Sequence, residues 1–358
     1  MNGNDKESKT YSSQKTYIYL LNALSTISVV FLHTNGCFWS YSKRNWWRSA
    51  NIIESVFYFA VPCFFMITGV TLLDYNNKYS IKTYFSKRIS KTFIPFVFWE
   101  VIALIYRCLT GEFYAKITNP IQTINEFVNG RLVGIYWFFP ALFSVYICIP
   151  VFAYIEEKYK IQVCLYLVVM GFIINVYIPF ILMAFQIRID CPVNLWVVSG
   201  YMIYVLLGYL IDKLDITFKH EMIIYFLSVI GLLMHIYYTY VFSTDTGVIV
   251  TDYKGYLNLP CFIYSTGIFL FIKKRAVLVL RYKVIEKITS YICSFSFGIY
   301  LSHWYIMELV RDILFKDIFD LQNYSIVYRL GAPFIIIPLS CCCIYLMRKI
   351  PGLKIFVP

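Results

Sequence analysis

About ten apolar runs, most of them roughly 17–25 residues long and separated by polar or charged breaks, constrain this chain more than any other feature of its sequence. A helix rises about 1.5 Å per residue, so a run of about 20 residues spans a hydrocarbon core of roughly 30 Å. The runs lie near residues 17–36, 50–73, 93–109, 133–153, 161–185, 195–211, 221–242, 257–272, 290–311 and 330–347. The expected fold is therefore all-α, a polytopic membrane helical bundle of about ten transmembrane helices. One membrane domain covers 17–347, between an N-terminal tail at 1–16 and a C-terminal tail at 348–358. Composition agrees: 15% of residues are charged, against about 25% in soluble domains, and the mean hydropathy is +0.64.

The net charge of +12 raises nucleic acid as a partner, and the placement of the cations excludes it. They fall mostly in short loops, where they set topology and meet anionic headgroups. Of 32 Lys and Arg, 21 lie in the two tails and the loops that share a side with them. The positive-inside rule puts both termini in the cytoplasm, as an even number of spans also requires. The first run lacks a small-residue cleavage site, so it is expected to be retained. Eleven cysteines, including Cys341, Cys342 and Cys343, lie scattered through apolar runs without CxxC spacing and read as packing residues. No metal site is expected, and GxxxxGK[ST], GxGxxG and HExxH are all missing.

Ionisable residues inside spans usually face a protein interior or a water-filled cavity and tend to be functional. The first run carries His33 near its outer end. The second runs back inward and places Glu54 at similar depth, where a carboxylate could fix the tautomer of His33 and raise its basicity. The other reading of Glu54 is an interfacial carboxylate beside Arg48. His303, next to Ser302 in the ninth run, falls in the same leaflet, and Glu308 and Arg311 at its end are spaced for an ion pair. Glu100 and Arg107 share one face of the third run and ask for partners or a cavity. Pro62 is expected to kink the second run and Gly69 to allow close helix contact. Arg188 and Asp190 occupy a short outer break, His235 reads as a packing histidine, and His220 has no assigned role. After the second run, Arg88 and Lys91, with Lys87 beside them, would share a helical face at the cytoplasmic surface; the readings are a phosphate grip or topology and lipid contact.

Five segments carry a resemblance: SVVFLHTN around His33, FAVPCFFMITG at 59–69, SKRISKTFIPF at 86–96, YWFFPALFSVYICIP at 136–150 and FSFGIYLSHW at 295–304. In order and spacing the chain resembles acyltransferase family 3 of integral membrane proteins, in its surface-polysaccharide O-acyltransferase branch, over nearly its whole length. The resemblance implies an enzyme of the multi-pass bacterial plasma membrane, transferring an acyl group other than aminoacyl. The donor would be a cytosolic acyl-CoA, acetyl-CoA being expected, and the acceptor a hydroxyl of an envelope glycan or its lipid-linked precursor. It implies that His33 is catalytic and that the basic pair Arg88 and Lys91 meets the donor, with Lys91 where Arg is commoner. Thr68 stands where Ser is commoner. Eleven residues before the histidine, where the family places Arg, this chain has Asn22, which can hydrogen-bond phosphate without neutralising it; Lys87, Arg88 or Lys91 would then supply the charge. Acyl transfer to a hydroxyl needs a base, and the residues suggest His33 in that role, oriented by Glu54 and assisted by His303. The alternative function is a carrier or exporter of a glycan or lipid precursor whose intramembrane His, Glu and Arg residues line the path.

Overall fold

The computed structural model describes residues 3–110, 119–187, 189 and 193–358, with side chains from Thr16 onward. Among these residues helix is the only regular structure. In chain order the helices are α1 (Gly3–Thr34), α2 (Asn45–Phe57), α3 (Ala60–Leu72), α4 (Ile81–Arg88), α5 (Ile94–Leu109), α6 (Pro120–Val128), α7 (Phe138–Ala153) and α8 (Glu157–Gly171). They continue with α9 (Ile178–Ala184), α10 (Met202–Lys213), α11 (Phe218–Thr246), α12 (Leu259–Leu280), α13 (Lys283–Leu309), α14 (Ile326–Gly331) and α15 (Pro333–Lys349). Each expected apolar run falls mainly on helix, the runs at 50–73 and 161–185 on two helices each. Among the described residues five helical stretches are long and apolar enough to cross a membrane: Thr16–Thr34, Asn45–Asn77, Ile81–Leu109, Glu157–Ala184 and Phe218–Thr246. Arg188 and Asp190 lie outside the described residues.

α1 is the central post, packed against α3, α12, α13 and α15. Its polar residues explain why: Ser25, Thr26, Ser28 and Thr34 are all buried, so the polar face of α1 turns into the protein. α11 shows the opposite polarity, leaving Phe226, Val229 and Leu233 exposed, as a helix facing hydrocarbon should. α1 also extends back through the polar N-terminal tail to Gly3.

The second apolar run is broken into α2 and α3 at Tyr58 and Phe59. Pro62 accounts for the break, because it has no N–H to give to the carbonyl of Tyr58, four residues earlier. The ladder resumes with Cys63 N–H donating to the Phe59 carbonyl at 3.0 Å. A π-helical stretch, Ile89–Phe93, joins α4 to α5. Two more follow α8, at Phe172–Tyr177, and α13, at Val310–Ile318. The predicted break at 273–289 is largely helical, and its cations reach back to neighbouring helix ends: Lys273 Nζ donates to the Asp212 carbonyl at 2.9 Å, and Arg275 pairs with Glu221 at 2.9 Å. The Glu308–Arg311 pair forms as expected, with two bonds of 2.7 and 2.9 Å.

α3 and α10 approach at backbone distance. A Cβ built on Gly69 would lie 1.9 Å from the Val205 carbonyl oxygen, and one on Gly208 would lie 2.3 Å from that of Met66. Small residues let helices in lipid gain van der Waals contact that larger ones would block. Gly69→Val should therefore cost about 3 kcal/mol or more, since the obstructing atoms are backbone and cannot rotate away. Gly36→Ala, which meets open space, should cost little. Thermal unfolding of the two variants in detergent checks this, with an equal effect at both positions as the contrary result.

Candidate active site

His33 lies in the last turn of α1 and His303 in the second-last turn of α13, so both rings are carried by helices. The imidazoles meet with ring centroids 5.0 Å apart and planes inclined at 36°. His303 Nδ1 sits 2.9 Å from the carbonyl oxygens of Ile299 and Tyr300. Carbonyls only accept, so Nδ1 carries the proton and Nε2 keeps its lone pair. That Nε2 is buried without a hydrogen-bond partner. His33 is half-buried on the wall of a cavity of about 340 Å³, to which Glu54, Tyr58, Trp137, Tyr256 and Tyr300 also contribute.

Glu54 does not hydrogen-bond to His33; its partner is Asn35, just beyond the end of α1. Asn35 Nδ2 donates to Glu54 Oε2 at 3.1 Å and to the Ala50 carbonyl at 2.9 Å. Its Oδ1 accepts from Arg329 Nη1 at 3.3 Å, while Arg329 Nη2 donates to Ser49 Oγ at 2.8 Å. The Thr34 hydroxyl closes the loop by donating to the Arg329 carbonyl at 3.1 Å. On the other flank Lys254, from the α11–α12 loop, donates to Ser55 Oγ at 2.6 Å, with its ammonium 4.8 Å from the centre of the Phe38 ring. Glu54, Arg329 and Lys254 are each at most 2% exposed. Burial pushes the Lys254 ammonium down from the ordinary lysine range, and the Glu54 carboxylate opposes that shift. His235 belongs to the same packing, its Nε2 at 3.3 Å from the Lys254 carbonyl and its ring 5.0 Å from that of Tyr58.

The structure thus brings His33, Glu54 and His303 to one region and adds Asn35, Lys254 and Arg329, which sequence reasoning missed. The signal available for the two cations was their position: Lys and Arg are sparse in the loops on their side of the bundle, so each one present there calls for a reason.

The donor-site candidates are placed elsewhere. Arg88 is half-buried, its guanidinium 5.3 Å from the Tyr146 ring centre and 5.7 Å from that of Tyr84, and its Nε has no partner. Lys87 holds its ammonium 3.9 Å over the Tyr79 ring. Lys91 is exposed. Arg88 and Lys91 do not share an α-helical face, because the wider π turn begins between them. Asn22 stands three turns before His33 on α1, about 16 Å along the axis, and its Oδ1 is buried without a partner. Glu100 is fully buried with neither carboxyl oxygen bonded, and it forms no ion pair with Arg107. Among the described residues no group of three His, Cys, Asp or Glu side chains is placed to hold a metal ion.

Compared with known families, the chain matches the model of an acyltransferase domain, that of acyltransferase family 3, over residues 15–348. No curated protein and no solved structure gave a match.

Removing one partner from a buried ionic cluster strands the others. Arg329→Leu is expected to destabilise the protein by about 3–5 kcal/mol, and a double variant with Glu54→Gln to recover part of that loss. Denaturation in detergent of the single and double variants measures the coupling, and strictly additive losses would count against the cluster.

Proposed function

The chain belongs to acyltransferase family 3, and we propose that it is a membrane O-acyltransferase that moves an acyl group, acetyl being expected, from acyl-CoA to a hydroxyl of a cell-surface polysaccharide or its lipid-linked precursor. The observation that supports this most is the imidazole pair, one ring on the wall of a 340 Å³ cavity and the other with an open Nε2. On this reading the protein spans the plasma membrane about ten times with both termini cytoplasmic, surrounded by membrane lipid.

His33 is the general base. The acceptor hydroxyl gives its proton to His33 as its oxygen attacks the thioester carbonyl. The new C–O bond forms, the C–S bond breaks, and the imidazolium returns the proton to the departing thiolate, yielding ester and free CoA. His303 assists through its Nε2 lone pair, which can accept a hydrogen bond from the imidazolium. Glu54, on the same cavity wall, holds the end of α1 through Asn35 and so helps to position His33, two residues earlier. Lys87, Arg88 and Lys91 contact the donor phosphates, the half-buried Arg88 being the best placed of the three to present a guanidinium fork. Asn22 contributes a hydrogen bond along α1 where a cation is usual in the family. Holding donor and acceptor on one helix-borne constellation supplies the proximity that a weak hydroxyl nucleophile needs.

Asn22 favours a second reading, a carrier of a glycan or lipid precursor that performs no transfer. The test serves both. Mass spectrometry of the surface polysaccharide, with and without the protein, should show an ester-linked acyl group that depends on it. In cells making normal amounts of protein, His33→Ala should lower that modification about 100-fold or more. Undiminished acylation would remove His33 from the chemistry, and no acyl group in either strain would favour the carrier.

A further inference from the structure

The histidine pair divides two spaces of very different size. His33 faces the large cavity. His303 closes a small chamber on the side toward the N-terminal end of α1, walled by Thr26 and Val30 of α1, Phe64 of α3, and Ile299 and Tyr300 of α13. The chamber measures about 10 Å³, at the lower limit of room for a single water-sized group. Apart from Tyr300, its polar lining residues are His303, whose Nε2 has no partner, and Thr26, whose hydroxyl proton is already given to the Asn22 carbonyl at 2.9 Å. The remaining walls are hydrocarbon or aromatic, an environment that suits a methyl group better than a water molecule, which wants two to four polar partners.

We propose that this chamber is the acyl pocket and that it restricts the donor to a two-carbon acyl group. The inference rests on the acyl-CoA reading given above and sharpens it. On this assignment the methyl of an acetyl group occupies the space walled by Phe64 and Val30 while its carbonyl stays beside the imidazoles. Propionyl and butyryl groups must push against walls fixed on three helices. Val29, Phe64 and Tyr300 line both the chamber and the large cavity, so they form the partition between the two spaces. Phe64 is the removable part of that partition: it is half-buried, and its ring makes only a tilted contact with Phe138, the centroids 6.1 Å apart. Its truncation opens the chamber into the cavity. Phe64 is thus a specificity-determining residue that acts by shape alone.

One extra methylene in a tight apolar pocket is worth about 10–200-fold in discrimination. The full-length protein in detergent, titrated with CoA, acetyl-CoA, propionyl-CoA and butyryl-CoA and followed by calorimetry, should bind butyryl-CoA at least about 10-fold more weakly than acetyl-CoA. Phe64→Ala should bring the two affinities together by strengthening the butyryl complex. Val30→Ala enlarges the same chamber from α1 and should act in the same direction, which covers failure of the first variant to fold. Equal affinity of the unsubstituted protein for all three acyl-CoAs, or an equal weakening of all of them in both variants, would overturn the pocket assignment. Absence of binding by any of the four, CoA included, would overturn the acyl-CoA reading itself.

Discussion

A carboxylate and two cations withdrawn from solvent govern the region around the cavity. Each alone would be costly in a membrane interior, so the segments that carry them must stay where their hydrogen-bond partners are. Glu54 belongs to α2, Asn35 to the end of α1, Arg329 to α14 and Lys254 to the loop between α11 and α12. The network therefore pins four separate parts of the chain to one point, and His33 lies only two residues before Asn35. Precision at the imidazole follows from this anchoring: the ring is positioned by α1, and the end of α1 is held by hydrogen bonds that cannot lengthen without leaving a buried charged group unsatisfied.

The same logic explains the unusual polarity of the first helix. In a soluble protein the polar stripe would face water, whereas here hydrocarbon lies outside and the polar stripe faces inward. Asn22, Ser25, Thr26 and His33 follow one another along the buried side, with the unbonded Asn22 Oδ1 and Ser25 Oγ as open hydrogen-bonding groups. Such a row is suited to a polar chain threaded along α1, and hydroxyl and amide groups cost far less there than charges would.

Much of this was legible in the sequence. The apolar runs gave helices in the right places, because length and hydropathy are local properties, and the depth match of His33, Glu54 and His303 followed from counting turns on alternating spans. What failed to show was whatever depends on distant contacts or on helix variants. Arg329 reaches Asn35 across 294 positions, and its place in a cation-poor loop signals the need for a partner without saying which one. The expected common face of Arg88 and Lys91 assumed an α-helix where a π turn begins. Glu54 was paired with His33 by depth, whereas its hydrogen bond goes to Asn35, a loop residue invisible to a comparison of spans. The Pro62 break was legible because proline acts on its own backbone, and its cause is fully local.

The α3–α10 contact is a rigid one. Gly69 faces Val205 and Gly208 faces Met66, so each glycine abuts the position three residues before the other in an antiparallel crossing. Neither site can accept a larger residue by adjusting its partner, since the partner is main chain. A substitution at either glycine therefore cannot be absorbed locally: the two helices must separate along this stretch and the interface must be rebuilt.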